Sequence, residues 1–458
     1  MSDLEVLFAH AYLVAQDKRP LGFMHPLPPL QPAEVAAWLQ QEAGAAVRVW
    51  DSTFRLSLES FEVACSRGRP RMAWIHTHPT TRSSALELMA IARRTGAVVV
   101  AGGPDAGLRP EEYLRGGADA VVPGEGEDAT LQLLLALRAA HHRPSPELLD
   151  RVPGLHYLDD QGQLRRSAGK ARTIDLERLP WPLREPDSTR IHLERWRDHR
   201  KYRPLALASA RGCPLPCGYC SASVFGRPYR RRAPREVADE VRRLADRFEF
   251  DRLVFTDEVF LFDRLWLREF ADALKSGPRV PFEGCAHPGA LPVDLLARLA
   301  EAGLTRVELD AASGSSRLLS SLDWSYGPAD VYRAVSAVRG AGINLGLRVM
   351  VGLPGEDRSD LDATMEMVRV AGPDGVEVTR VDPGSPALFR KDWERVVGGP
   401  LAERTERRLP RPVLQTAADW LLLNGGNEPD DPTAASRGLM SRVRRPLLRA
   451  AIRLLPGR

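Results

Sequence analysis

The chain predicts an α/β protein in two parts: a Rossmann-like doubly wound parallel sheet at the N-terminus and a partial (β/α) TIM-type barrel after it, with a small helical C-terminal extension. Three observations carry this expectation. Short apolar runs alternate with amphipathic stretches from residue 4 to 140. The same alternation resumes from residue 205 to 379. Between them, Pro144, Pro146, Pro153, Pro180, Pro182 and Pro186 break regular structure and mark a connector. Strands alternating with helices imply parallel sheets, which bind ligands in the loops at the strands' carboxyl ends. The expected divisions are 1–143, 144–200, 201–400 and 401–458.

In the first part, residues 4–9 read as a short buried strand, followed by the Pro-rich loop 25–30 and a helix over 32–43 with Val35, Trp38 and Leu39 on one face. Residues 46–51 form a second strand with Asp51 at its carboxyl end, and 72–75 a third. A helix over 83–95, strands at 97–101 and 118–122 and a helix over 127–140 complete the unit. Two glycine-rich loops follow its last strands: Gly102-Gly103-Pro104-Asp105 and Gly124-Glu125-Gly126-Glu127. Glycines let a flat ligand lie against backbone, although turns of this kind are often Gly-rich for their own geometry. In the connector, residues 154–164 read as a hairpin that holds the two parts together.

The second part opens with a strand at 205–209. Strands at 252–256, 282–286, 306–310, 346–351 and 375–379 alternate with helices at 235–248, 264–275, 292–302, 328–341 and 357–371. Such a series places its site at the strands' carboxyl ends. Arg227, Arg230, Arg231, Arg232 and Arg235 make a basic stretch, which is either a solvated face or a contact for a phosphate or carboxylate. Residues 411–423 read as a helix and 424–432 as a loop. The tail 436–458 alternates arginines with Leu and Val, as a docked terminal helix or as one that touches acidic lipid at a membrane periphery.

The first strand of the second part leads into Arg211-Gly212-Cys213-Pro214-Leu215-Pro216-Cys217-Gly218-Tyr219-Cys220, which holds three of the chain's five cysteines. Three thiolates on one tight loop hold three corners of a cubic iron–sulfur cluster and leave the fourth iron open to a small molecule. A structural zinc knuckle would need a second Cys/His pair at fixed spacing, and none follows. Clustered cysteines in a Cys-poor chain argue for a reducing compartment and against a disulfide scaffold. A net charge of +4 is too small to call for nucleic acid. The N-terminus lacks the pattern of a signal peptide, and no apolar run reaches the roughly 20 residues of a membrane span, so a cytoplasmic protein is expected.

Cys213, Cys217 and Cys220 match residue by residue the motif of radical S-adenosylmethionine (SAM) enzymes, and the chain resembles that family. The resemblance implies a [4Fe–4S] cluster on these three cysteines. Its open iron would chelate S-adenosylmethionine, which reduction cleaves to a 5′-deoxyadenosyl radical, with an electron donor such as flavodoxin or ferredoxin as partner. Tyr219 would pack at the cluster. Asp257, Glu258, Ser313, Gly352, Pro354 and Gly355 would surround S-adenosylmethionine. The loop near residue 27, Asp51 to Phe54, Gly102-Gly103-Pro104 and Gly124 to Glu127 fall where many members carry a cobalamin-binding domain. On that likeness Asp51, Gly102, Gly103, Gly124, Glu125, Gly126 and Glu127 would bind cobalamin.

Three departures stand out. The cobalt-ligating D-x-H-x-x-G of mutases is missing, as it commonly is in this family, and His76 and His78 remain site candidates beside the ordinary packed or solvated role. Ala312 stands where the subgroup shows a glutamate before Ser-Gly, with Glu308 and Asp310 as replacements. Cys285-Ala286-His287-Pro288 stands where relatives often carry an arginine. The resemblance implies methylation of an unactivated carbon of a small-molecule substrate. Its rivals are a cobalamin-using cyclase or rearrangement enzyme, and a degenerate protein that binds its cofactors without catalysis.

Overall fold

The computed structural model describes residues 4–14, 27–55, 57–140, 144–215, 228–322, 324–353 and 355–381. The helix expected at 411–423, the loop 424–432 and the tail 436–458 lie outside these residues, as do Cys217, Tyr219, Cys220, Arg227 and Pro354. The chain divides into two compact units, with the division between His192 and Leu193, inside the helix Pro186–Arg200.

The first unit is a seven-stranded sheet: β1 (Val6–His10), β2 (Val47–Asp51), β3 (Met72–His76), β4 (Val98–Gly102), β5 (Ala120–Val122), β6 (His156–Leu158) and β7 (Leu164–Arg166). Their order is β2-β1-β3-β4-β5-β6-β7; the first five run parallel and the last two antiparallel. The alternation of side chains explains the layers. Phe8, Met72, Trp74 and Val100 face the helices Leu30–Ala43 and Glu127–Ala139, where Trp38, Leu39 and Leu134 meet them. Leu7, Ala73, Ile75 and Val99 face the helices Glu59–Gly68 and Arg82–Arg94, where Phe61, Cys65 and Leu88 meet them. Both faces are buried, so the strands read as continuous apolar runs. The strand order reverses between β1 and β3, which makes their carboxyl ends the switch point where such sheets bind ligands.

The structure differs from the sequence expectation in the connector. The hairpin at 156–166 pairs with β5 and extends the first sheet. The stretch 186–200, expected to be broken, is a helix: Pro186 sits at its first position, where a missing N–H costs nothing.

In the second unit β8 (Pro204–Leu207), β11 (Arg252–Phe255), β12 (Phe282–Ala286), β13 (Leu304–Ala312), β14 (Asn344–Val351) and β15 (Gly375–Arg380) form a parallel six-stranded sheet in sequence order, curled as a half-barrel. Between β8 and β11 a short antiparallel pair, β9 (Ala210–Arg211) and β10 (Arg230–Arg231), flanks the cysteine loop. One face of the curled sheet packs on its helices through Leu253, Phe282, Val307, Leu345 and Val349. The other face carries charge in pairs: Arg252 with Glu283 at 3.0 Å, and Arg348 with Asp310 at 3.5 Å and Glu377 at 3.1 Å. Among the described residues no helix is long and apolar enough to cross a membrane.

Candidate functional site

The cysteine loop leaves the carboxyl end of β8 and is fixed at its root by Asp257, the second residue beyond β11. The Asp257 carboxylate accepts hydrogen bonds from the Ser209 and Ala210 amides, each at 2.7 Å, and from the Ser209 hydroxyl at 2.5 Å. Burial raises its pKa, against the opposing pull of Arg231 and these hydrogen bonds. Gly212 then takes a left-handed φ of 82°, which turns the chain into Cys213. Cys213 is partly exposed. Among the described residues no group of three metal-ligating side chains occurs, consistent with two of the motif's cysteines lying outside them.

Arg231 reaches toward the same corner. Its guanidinium lies 3.5 Å from the centre of the Trp266 ring and donates to the Ser209 hydroxyl at 3.3 Å and the Phe260 carbonyl at 3.0 Å. Arg232 instead turns into the core, where it pairs with Glu240 at 2.5 Å. The basic stretch is thus divided between a structural arginine and one beside the loop. Cys285 donates its thiol to the Asp257 carbonyl at 2.9 Å, and burial pushes its pKa up to about 12, the signature of an unreactive core thiol.

The other predicted residues of this unit line the same edge. Glu258 follows Asp257; partial desolvation and then the charges of Asp257 and Asp310 raise its pKa. Ala312 ends β13 at a bulge with a φ of 45°, uncommon for a residue with a side chain. Ser313 is fully buried 3.1 Å from the Thr364 hydroxyl, and Gly314 donates its amide to the same oxygen at 3.0 Å. The helix Arg358–Ala371 therefore holds this loop. Gly352 and Gly355 both have left-handed φ, and the Glu356 carboxylate accepts the Gly352 amide.

In the first unit the carboxyl rim of the sheet reads, strand by strand, Asp51, His10, His76 and Gly102 in register. Asp51 is not open to a ligand. It accepts from Ser188 at 2.9 Å, from Thr53 at 2.7 Å and pairs with His192 at 2.6 Å. Burial alone would raise its pKa, but His10 and His192 hold it well below the usual carboxylate range. Gly102 gives its missing side chain to Trp74: a Cβ there would lie 1.9 Å from the indole. Gly103, at φ 96°, lets the chain turn close to the Thr77 carbonyl. Gly124 and Gly126 also adopt left-handed φ, and Gln31 donates to the carbonyls of Gly124 and Glu125 at 3.1 and 3.2 Å. Glu127 is fully buried at the start of its helix.

Sequence reasoning missed His10 and His192. The first ends β1 just as Asp51 ends β2, a positional signal that was readable. The second lay in a stretch expected to be irregular. The nitrogens Nδ1 of His10 and His76 are buried without a hydrogen-bond partner. A rim with glycine loops on one side and nitrogen donors at its centre fits a large metal-centred ligand in its donor chemistry. His78 caps the short turn Pro79–Thr81 through Thr80 at 2.8 Å and does not join this rim.

Residues 207–368 match the Radical SAM superfamily. The chain is 28% identical over 262 residues to the anaerobic magnesium-protoporphyrin IX monomethyl ester cyclase of Rubrivivax gelatinosus, a match that takes in 56% of this chain and 45% of that protein. The chain spans about half the length of the curated relatives it matches. TsrM of Kitasatospora setae, a radical S-adenosylmethionine methyltransferase solved with cobalamin and a [4Fe–4S] cluster bound, superposes with a TM-score of 0.66 at 20% identity, over 84% of this chain and 74% of that one. OxsB, a cobalamin-dependent S-adenosylmethionine radical enzyme solved with aqua-cobalamin and S-adenosylmethionine, superposes with a TM-score of 0.67 at 16% identity, over 97% of this chain and 62% of that one. At such identities the likeness is one of fold. Residues 207–368 thus resemble a radical SAM domain, in a chain whose fold is similar to those of TsrM and OxsB.

Proposed function

We propose that this protein methylates an unactivated carbon of a small-molecule substrate, with a [4Fe–4S] cluster on Cys213, Cys217 and Cys220, S-adenosylmethionine and cobalamin. The observation that carries the proposal is the pairing, in one chain, of the C-x3-C-x2-C loop at the carboxyl end of β8 with a doubly wound sheet of order β2-β1-β3-β4-β5. When bound, the cluster and S-adenosylmethionine supply a hydrogen-abstracting radical, and cobalamin supplies a methyl group. The protein's own residues position and shield. Asp257 fixes the root of the cysteine loop through Ser209 and Ala210. Glu258, Ser313, Gly352 and Gly355, with Tyr219 and Pro354, are the residues proposed to hold S-adenosylmethionine. Asp310, Arg348 and Glu377 bring fixed charges to the inner face of the half-barrel, suited to orienting a polar substrate.

A second reading has its own support: the relative at 28% identity is named as a cyclase. Product analysis separates the two. Methylation consumes one S-adenosylmethionine as methyl donor and another as radical source, so turnover releases S-adenosylhomocysteine and 5′-deoxyadenosine in comparable amounts by mass spectrometry. 5′-Deoxyadenosine without S-adenosylhomocysteine means cyclisation or rearrangement, and neither product, from protein with an intact cluster, reductant and substrate, means an inactive binding protein.

A further inference from the structure

Arg231 and Arg232 are neighbours in sequence and opposites in structure. Arg232 is buried against a carboxylate, Glu240, at 2.5 Å. Arg231 is buried without one. Both of its hydrogen bonds leave from Nη2 and end on neutral oxygens, the Ser209 hydroxyl and the Phe260 carbonyl. Its Nε and Nη1 are shut off from solvent and have no partner. The Trp266 ring centre lies 3.5 Å from the guanidinium and that of Phe260 5.2 Å. Burial lowers the pKa of Arg231, and the charges of Tyr229, Asp257, Asp263 and Cys285 oppose that only in part.

Tyr229, two residues earlier, repeats the pattern. Its hydroxyl is buried without a partner, and its ring packs edge-on against Phe262 at 5.8 Å. Burial pushes the phenol up to about 12; Arg231 pulls it down, and Asp257, Asp263 and Cys213 add to the rise. The two side chains thus stand within each other's field, at the root of the loop that carries Cys213. As a rule buried charges are paired, and an orphaned N–H adds to the cost of burial. A cluster held by three thiolates carries net negative charge, and it would complete this corner. Its one-electron reduction, from a low-potential donor, adds one more negative charge. A fixed cation beside it favours the reduced form, because net charge and hydrogen bonds to sulfur set the potential.

We propose that Arg231 is the counter-charge of the iron–sulfur cluster and, through its uncommitted Nε and Nη1, raises the cluster's reduction potential. The inference rests on the proposal that Cys213, Cys217 and Cys220 hold a cluster. It singles out Arg231 within the basic stretch: Arg232 is neutralised by Glu240, and Arg235 is exposed.

A redox titration of the full-length, anaerobically reconstituted protein, followed by electron paramagnetic resonance without S-adenosylmethionine, tests it. Arg231→Met keeps a long side chain against Trp266 and removes the charge. The expected midpoint potential is more negative than the parent's in Arg231→Met, close to the parent's in Arg231→Lys, and unchanged in Arg235→Gln. A role in packing alone would lower stability and leave the potential where it was. Equal potentials in the parent and Arg231→Met, at full iron content, overturn the proposal, and so does an equal shift in Arg235→Gln. An equal potential together with weaker S-adenosylmethionine binding in Arg231→Met also overturns it, and gives the guanidinium to that molecule's carboxylate. Where Arg231→Met takes up no iron, Arg231→Lys decides. Iron regained with the charge supports the counter-charge, and iron lost in both variants overturns it. Parent protein that takes up no iron overturns this inference and, with it, the cluster of the proposed function.

Discussion

Asp257 shows how one carboxylate fixes the root of the cysteine loop. Three donors converge on it from Ser209 and Ala210, four residues or fewer before Cys213. In Asp257→Ala two buried amides lose their acceptor, at about 1–3 kcal/mol each. The expected result is a lower urea midpoint and, after anaerobic reconstitution, clearly less iron per chain than in the parent protein. Unchanged iron would mean that the loop is held by its cysteines alone. The acid itself was legible in the sequence, as a carboxylate at the carboxyl end of a strand. Its partners were not: a hydrogen bond across 48 residues depends on β8 and β11 being neighbours, which no local pattern records. Gly102 makes the same point in reverse. Its sequence context suits a ligand loop, yet the structure sets the Trp74 indole against it.

At the scale of elements, the strands were legible because both faces of the first sheet are buried and β1, β3 and β4 read as apolar runs. The helix Pro186–Arg200 was not, because its apolar content is slight. Its inward face is made of Thr189, His192 and Leu193, all nearly inaccessible. What secures its first turns is electrostatic: Ser188 and His192 both reach Asp51 at the end of β2. Breaking a buried pair of this kind costs about 3–5 kcal/mol. The pH dependence follows from the sign of the shift. The folded-state pKa of Asp51 lies well below the ordinary value of 3.8, so its contribution is complete above that value and is lost as the pH falls through the folded pKa. The difference in unfolding free energy between the parent protein and Asp51→Asn should therefore be largest near neutrality and shrink below about pH 4. A difference that stays constant from pH 7 to pH 3 would show that Asp51 acts by packing and not by charge.

Across the whole molecule the three buried clusters keep to their own units. Two flank the first sheet, with residues from Val6 to Ile174, and the third runs from Leu193 to Val381. Each unit thus has the apolar core it needs to hold its shape. The consequence concerns the two cofactors. Cys213, Cys217 and Cys220 belong to the second unit, and the rim of His10, His76 and Gly102 to the first. Replacing the three cysteines removes the proposed cluster ligands and changes no residue of the first core. The variant with Cys213, Cys217 and Cys220 all replaced by alanine should fall from about four irons per chain to almost none. It should also stop producing 5′-deoxyadenosine, while retaining through gel filtration as much cobalamin as the parent protein. Iron assay and the visible spectrum of the corrinoid read the two halves separately on one sample. Iron that persists would place the cluster on other ligands. Cobalamin lost together with the iron would mean that the first unit needs the intact second unit to bind its cofactor, and that the separation of the cores does not extend to the sites they support.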